Sequence, residues 1–175
     1  SKYADGTTDV LFDSYHRVSA AEVQGTGNTK IELDGQNVLD SSTSEYGAGL
    51  RKKDSGNLTI TDETSDKGET ITAKEETETS GSLRAEGGCY RGPSLSGGAA
   101  AIGGSWGQAT DNITIEGYAT VKANTKDNNG AGIGGGAGAK GSNITIQGHA
   151  NVTADGGKTG AGIGGGSTGT SCDGD

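Results

Sequence analysis

Residues 130–136 read GAGIGGG, and the same seven letters return at residues 160–166. A second motif, NITIEG at residues 112–117, returns as NITIQG at residues 143–148. The glycine motif repeats after 30 residues and the NITI motif after 31 residues. Self-similarity at such a period indicates a repeat architecture, in which each unit packs on its neighbours.

A third motif lies between these two, as ATVKA at residues 119–123 and ANVTA at residues 150–154. In NITI the two Ile side chains point to one side and the Thr to the other, because side chains alternate along a strand. We therefore predict an all-β right-handed parallel β-helix (β-solenoid) of about four coils of ~30 residues, with three short strands per coil. Stacked coils align an interior column of Leu58, Ile113 and Ile144 and an outward column of Thr59, Thr114 and Thr145.

The repeats divide the chain into two regions. Residues 1–27 are predicted to be an N-terminal cap or an irregular first coil, and residues 28–175 to be β-solenoid coils with insertions near 62–80 and 89–96. Insertions in repeat proteins map to loops, and such loops often carry binding sites.

The composition limits the partners of the chain. Only 29% of residues are hydrophobic and 35 are glycine, which argues against an ordinary two-layer core. The net charge of −9 argues against nucleic acid, and no apolar run is long enough for membrane insertion. Because the chain has no Met and no signal peptide, we expect an excised part of a larger multidomain protein.

The order of the motifs carries a family resemblance. IELDGQNVL at residues 31–39, GAGL at 47–50, GSLRA at 81–85 and then the GAGIGGG copies resemble the glycine-rich repeat domains of carbohydrate-binding surface proteins of Gram-positive gut bacteria. The resemblance covers roughly residues 5–170, and the insertion at 62–80 and the Trp106 loop depart from it. It implies a non-enzymatic module of a secreted or cell-surface adhesin, which binds host or mucin-type glycan or serves as a rigid scaffold.

The candidate ligand-binding residues surround the only tryptophan of the chain. Sugars stack their apolar face on aromatic rings, and polar side chains bond their hydroxyls. The sequence predicts such a platform from Trp106, Gln108, Asp111, Tyr90 and Arg91. The alternative is that Trp106 only covers the core at an insertion.

Two other functions compete with glycan binding. One is adhesion to a host surface protein through a flat glycine-rich face, since Gly132 and Gly134 are predicted to point outward. The other is a polysaccharide lyase or glycoside hydrolase of the β-helix type, which would need paired carboxylates. The carboxylates fall mostly in turns, and His16 and His149 stand alone, so we predict no catalytic residues.

Further expectations concern ions, ring stacking and the cysteines. Residues 127–130 and the acidic residues of 62–78 match neither an EF-hand nor the nonapeptide Ca²⁺-binding repeat, so we predict solvated charge, no metal and no cofactor. Tyr118 and His149 occupy equivalent repeat positions and should stack. Cys89 and Cys172 are either one disulfide or two unrelated thiols.

Overall fold

A computed structural model of the chain describes residues 9–11, 19–53, 55–63, 81–91 and 96–168. The described residues form sixteen short β-strands and no α-helix. The strands are β1 (Asp9–Leu11), β2 (Ala21–Gln24), β3 (Thr29–Glu32), β4 (Gln36–Asp40), β5 (Leu50–Lys52), β6 (Leu58–Asp62), β7 (Ser82–Glu86), β8 (Cys89–Arg91), β9 (Ser96–Gly98), β10 (Ile102–Gly103), β11 (Ile113–Gly117), β12 (Thr120–Asn124), β13 (Ile133–Gly134), β14 (Ile144–Ile146), β15 (Asn151–Asp155) and β16 (Ile163–Gly164).

These strands are divided among three parallel sheets and one hairpin. The first sheet has the order β14-β11-β6-β3, and the second has the order β15-β12-β7-β4. In the third sheet β2, β5, β10, β13 and β16 are parallel, and β1 pairs antiparallel with β2 at the edge. Strands β8 and β9 form a separate antiparallel pair. From β3 onward the chain therefore visits the three sheets in turn.

The prediction of a single right-handed parallel β-helix of four coils is wrong. The finding that overturns it is the division of the strands into three separate parallel sheets, together with an antiparallel edge strand and an antiparallel hairpin. The physical reason is that alternation in a sequence tells which side chains face inward, but it does not tell which strands exchange hydrogen bonds or how many sheets result. We call each passage of about 30 residues through the sheets a repeat unit.

The predicted columns inside the first sheet are confirmed. Leu58 is in register with Ile113, and Ile113 with Ile144. Thr59, Thr114 and Thr145 align one residue further along, on the other face. Leu58 and Ile113 are fully buried, as an interior column requires.

The core lies between the three sheets, and each sheet contributes aligned apolar side chains. In the second sheet Leu83 pairs with Val121, and Ala85 pairs with Ala123. In the third sheet Leu50 aligns with Ile102 and Ile133. The cluster of buried side chains consists of Ala21, Val23, Leu33, Leu50, Leu58, Ile60, Leu83, Ala85, Ala101, Ile102, Ile113, Ile115, Ala119, Val121, Ala123 and Ile133.

The glycines of the third sheet do not form the open face that the sequence predicts. Gly132 and Gly134 are both buried. Gly134 has φ of +138°, and a Cβ atom there would lie 1.9 Å from the carbonyl oxygen of Gly164 in the next strand. Glycine is required here because successive strands approach too closely for any side chain.

The predicted insertions are described only in part. Residues 64–80 and 92–95 lie outside the described residues, whereas the ends of the second insertion form the β8–β9 hairpin. The ends of the first insertion are joined directly, because the Gly81 amide donates a hydrogen bond of 2.7 Å to Oδ2 of the buried Asp62. Strand β7 therefore starts beside the point where β6 ends.

Candidate functional site

Three aromatic rings come together on the surface of the molecule. The ring of Tyr46 lies 4.9 Å from that of Tyr90 and 5.3 Å from that of Trp106, centroid to centroid, and Tyr90 and Trp106 are 6.5 Å apart. The angles between ring planes are 21° to 30°, so the rings are stacked. We call Tyr46, Tyr90 and Trp106 the aromatic cluster.

The aromatic cluster remains accessible to solvent. Trp106 is 36% exposed, and Tyr46 and Tyr90 are half-buried. Trp106 is one of only four large hydrophobic side chains that are exposed among the described residues. An accessible group of stacked rings is the type of surface on which the apolar face of a sugar packs.

A tight turn presents Trp106. The amide of Gln108 donates a hydrogen bond of 2.9 Å to the carbonyl of Ser105, and Gly107 has φ of +71°. A positive φ at the third position of a turn favours glycine, so the sequence Ser105-Trp106-Gly107-Gln108 suits this geometry. The Gly107 amide also donates to the carbonyl of Ala137 at 3.1 Å, which fixes the turn to the next repeat unit.

The β8–β9 hairpin carries Tyr90, and its backbone packs against the indole of Trp106. Tyr90 lies directly opposite Gly97 in the antiparallel register. A Cβ atom at Gly97 would be 2.2 Å from Nε1 of Trp106, so the indole rests against the backbone of β9. Glycine at position 97 therefore makes room for the ring beside Tyr90.

The segments that carry the three rings are tied together through their backbones. The Cys89 amide donates to the carbonyl of Ser44 at 3.0 Å, and the Gly88 amide donates to that of Gly47 at 2.8 Å. These bonds fix the hairpin to the loop that holds Tyr46. Asn128 fixes the base of the hairpin, because its Nδ2 donates to the carbonyls of the two flanking residues, Gly88 and Ala99, both at 3.0 Å. A platform held in this way loses little conformational entropy when a ligand binds.

Gln108 belongs to the same turn as Trp106 but bonds to the third sheet. Its Oε1 accepts two hydrogen bonds from the Arg51 guanidinium, from Nε at 3.1 Å and from Nη2 at 2.6 Å. Arg51 in turn forms an ion pair of 2.6 Å with Glu22, whose side chain is only 12% exposed. This polar chain of Glu22, Arg51 and Gln108 gives the cluster a hydrogen-bonding neighbour with fixed geometry.

The other two predicted ligand-binding residues are not placed in the cluster by the structure. The Asp111 carboxylate lies 3.8 Å from Nζ of Lys52, whose side chain is fully buried, so Asp111 compensates a buried charge. Arg91 is the last residue of β8, and its side chain lies outside what the structure describes. The structure therefore brings together Tyr90 and Trp106, places Gln108 on the adjoining turn, and gives Asp111 a structural partner.

Sequence reasoning missed Tyr46, the residue that stacks on both other rings. Register through Leu50, Ile133 and Ile163 places Tyr46 at the repeat position of Asn129 and Thr159. In those later units the position is polar, and Thr159 Oγ1 donates to Asn129 Oδ1 at 2.8 Å. The sequence signal for Tyr46 was therefore an aromatic residue at a repeat position that is polar in these two later units.

A second stacked pair lies elsewhere on the surface. Tyr118 and His149 have ring centroids 4.8 Å apart at an angle of 12°, which confirms the predicted stacking. The two residues follow Gly117 and Gly148, each with a positive φ, in successive repeat units. This pair continues the alignment of equivalent residues between units and is explained by the repeat alone.

Two ionisable groups of the described residues have clearly shifted pKa values. A hydrogen bond to the Glu63 carboxylate raises the pKa of Lys30 above its ordinary value of 10.5. Hydrogen bonds from the Ser42 side chain and backbone lower the pKa of Asp40 below 3.8. Neither residue belongs to the aromatic cluster.

The described residues contain a disulfide-bonded cysteine but no cluster of metal-binding side chains. No group of three or more His, Cys, Asp or Glu residues is arranged to hold a metal ion in this part of the chain. Cys89 is disulfide-bonded, and Cys172 lies outside the described residues. Where the structure describes the chain, it contains no helix long and apolar enough to cross a bilayer.

A comparison of the chain with protein-family models, curated proteins and solved structures finds no match in any of the three.

Proposed function

We propose that this chain is a non-enzymatic carbohydrate-binding module of a secreted or cell-surface adhesin, and that the aromatic cluster is its sugar platform. The observation that supports the proposal is the stacking of Tyr46, Tyr90 and Trp106 at an accessible surface. Protein sites for pyranose rings need aromatic faces for the C–H bonds and fixed polar groups for the hydroxyls. The cluster supplies the faces, and the adjoining Gln108 lies within a polar chain.

The chemistry of the site favours binding over catalysis. The polar side chains that adjoin the cluster through Gln108 bond to one another, since the Gln108 oxygen accepts from Arg51 and Arg51 pairs with Glu22. A glycosidase needs two carboxyl groups across one sugar linkage, one of them with a raised pKa. We assign no residue of the site as a catalytic acid, base or nucleophile.

The alternative of adhesion to a host protein through a glycine-rich face receives less support. Gly132 and Gly134 are buried, and the close approach of successive strands explains them. A glycan of mucin or another host surface is therefore the partner that we propose.

The test is a glycan array followed by titration of the bound glycans against single-residue variants. We expect Trp106→Ala to weaken binding at least about tenfold, since the loss of a stacking face costs on the order of 1.4 kcal/mol or more. Tyr46→Phe should retain binding because the ring remains, whereas Tyr46→Ala should lose it. The matched control is Val38→Ala, which removes another exposed apolar side chain, 57% exposed, outside the cluster.

The single Trp also provides a direct signal, because its fluorescence reports only on the cluster. Glycan binding should shift the emission of Trp106 in the unmodified chain. The proposal is wrong if no glycan binds, or if Trp106→Ala binds as tightly as Val38→Ala. Release of reducing sugar from a bound glycan would contradict its non-enzymatic part.

A further inference from the structure

On one side of the molecule, each of the three parallel sheets ends with a strand that pairs with no further strand of the described residues. β14, β15 and β16 are the last strands of their sheets, and each is paired on one side only. We call these three strands the open end. Such edges present free backbone donors and acceptors to another polypeptide.

The open end also exposes the interior columns of the core. Ile146 is 40% exposed and Ile163 is 44% exposed, whereas their counterparts Ile115 and Ile133 in the preceding unit are fully buried. Gly164 likewise differs from its counterparts in the preceding units, Gly103 and Gly134. A Cβ atom at Gly103 or Gly134 would meet a carbonyl oxygen of the next strand at 2.1 or 1.9 Å, but at Gly164 the nearest atom is Cβ of Ala161 at 3.6 Å. None of the described residues fills the space that a following strand fills in the earlier units.

At the opposite end β3 and β4 are edge strands as well, but a polar residue occupies the first position of one column in each sheet, and β1 covers β2. In the first sheet, Thr29 occupies the first position of the column that continues with Leu58. In the second sheet, Asn37 occupies the first position of the column that continues with Leu83 and Val121. Asn37 Nδ2 donates to the carbonyls of Asp34 and Ser82 at 3.2 and 3.1 Å. Strand β1 covers β2 in the antiparallel sense. A head-to-tail contact would therefore set the apolar open end against an end that is partly polar and is covered at β2.

The open end suits a second copy of itself. Strand β14 reads Ile144-Thr145-Ile146, which is the same in both directions. In an antiparallel pair about Thr145, each Ile144 faces the Ile146 of the second copy, so the apolar column continues. Residues 142–168 contain one Asp and one Lys as their only charged residues, and so carry no net charge in a chain of −9. Two copies can therefore approach at this end with the least repulsion, and the edges lack the Lys and Pro residues that block such pairing.

We infer that the open end is a homodimer interface, at which two copies meet through their β14 strands around a two-fold axis. Sedimentation of the full chain at about 100 μM should show a dimer. Ile146→Lys with Ile163→Lys should abolish it, because each places a charge in the apolar contact. Val38→Lys is the control, since Val38 is exposed in the first repeat unit and should leave the dimer unchanged.

A cross-linking experiment tests the geometry without destabilising the end. Thr145→Cys should form a covalent dimer on oxidation, because directly opposed residues of an antiparallel pair lie about 4.5–5.5 Å apart. Thr114→Cys, one strand inside the same outward column, should not. The inference is overturned by a monomer at this concentration, by a dimer that survives both Lys substitutions, or by cross-linking at Thr114 as readily as at Thr145. A dimer that survives would locate self-association elsewhere, and a monomer would leave another chain as the occupant of the open end.

Discussion

At the scale of single residues, Asn128 does most to hold the candidate site in place. It is fully buried, its Nδ2 donates to two carbonyls, and its Oδ1 accepts from the Gly130 amide at 2.7 Å. A Cβ atom at Gly98 would lie 2.2 Å from the Asn128 Cβ, so the hairpin packs directly on it. The segment 127–130, expected from its composition to be solvated charge, is thus in part an interior hydrogen-bonding element.

The first prediction follows from these bonds. Asn128→Ala should lower the free energy of unfolding by roughly 3 kcal/mol, because it leaves the buried Ala99 carbonyl and the buried Gly130 amide without a partner and leaves the Gly88 carbonyl with the Ala99 amide alone. Urea denaturation measures the change. Asn151→Ala is the control, since Asn151 is exposed and its loss should cost no more than about 0.5 kcal/mol. Equal costs for the two variants would show that the buried bonds contribute little.

At the scale of elements, three strands of the second sheet end in the same local turn. The side chains of Asp40, Asn124 and Asp155 accept hydrogen bonds from the amides two residues on, at 2.8, 2.6 and 3.0 Å. Asn and Asp favour such turns because the side chain replaces a backbone acceptor. The turn therefore directs the chain from the second sheet to the third in three repeat units.

The second prediction concerns Asp40, the ionisable residue with a lowered pKa among these turns. Its stabilising contribution should be fully present above its ordinary value of 3.8 and be lost as the pH falls through the lower folded pKa. Asp40→Asn keeps an acceptor for the Ser42 amide but removes the titration, so unfolding between pH 4 and pH 2 should depend less on pH in this variant.

A carboxyl titration followed by NMR measures the same effect in the folded chain. The Asp40 pKa should lie below 3.8 and should rise in Ser42→Ala, which removes the hydroxyl donor. A value at or above 3.8 in the unmodified chain would contradict the role of these hydrogen bonds.

Sequence periodicity predicted the elements better than their assembly. The alternation in NITI predicted correctly that Leu58, Ile113 and Ile144 align, because burial of one strand face fixes the register. It did not predict the three separate sheets or the antiparallel β8–β9 pair, which depend on contacts between distant residues. Trp106 and Tyr90 could be predicted for the site because aromatic residues are rare in the chain, while Tyr46 could be found only by comparing repeat positions.

At the scale of the whole molecule, a covalent link adds to the hydrogen bonds that hold the hairpin. Cys89 is disulfide-bonded and directly precedes Tyr90, so this bond holds the start of the hairpin that carries the cluster. The chain has one other cysteine, Cys172. Disulfides persist in oxidising compartments, which supports the proposed secreted or cell-surface location.

The third prediction is that the chain contains no free thiol. Thiol titration of the denatured, non-reduced protein should detect none, and Cys89→Ser should destabilise the fold by about 2–5 kcal/mol. Cys172→Ser should have the same effect as Cys89→Ser, because either change removes the only disulfide that two cysteines can form within the chain. One free thiol per chain, or a covalent dimer on a non-reducing gel of the unmodified protein, would contradict a bond within the chain.

The bond between Asp62 and Gly81 has a practical consequence. It joins the end of β6 to the residue before β7, and these two strands take their register from their ladders with β11 and β12. A foreign peptide spliced between them would meet the same two anchoring residues as the native sequence does. This junction is therefore the natural place to graft an epitope or an affinity tag when the rest of the molecule must stay as it is.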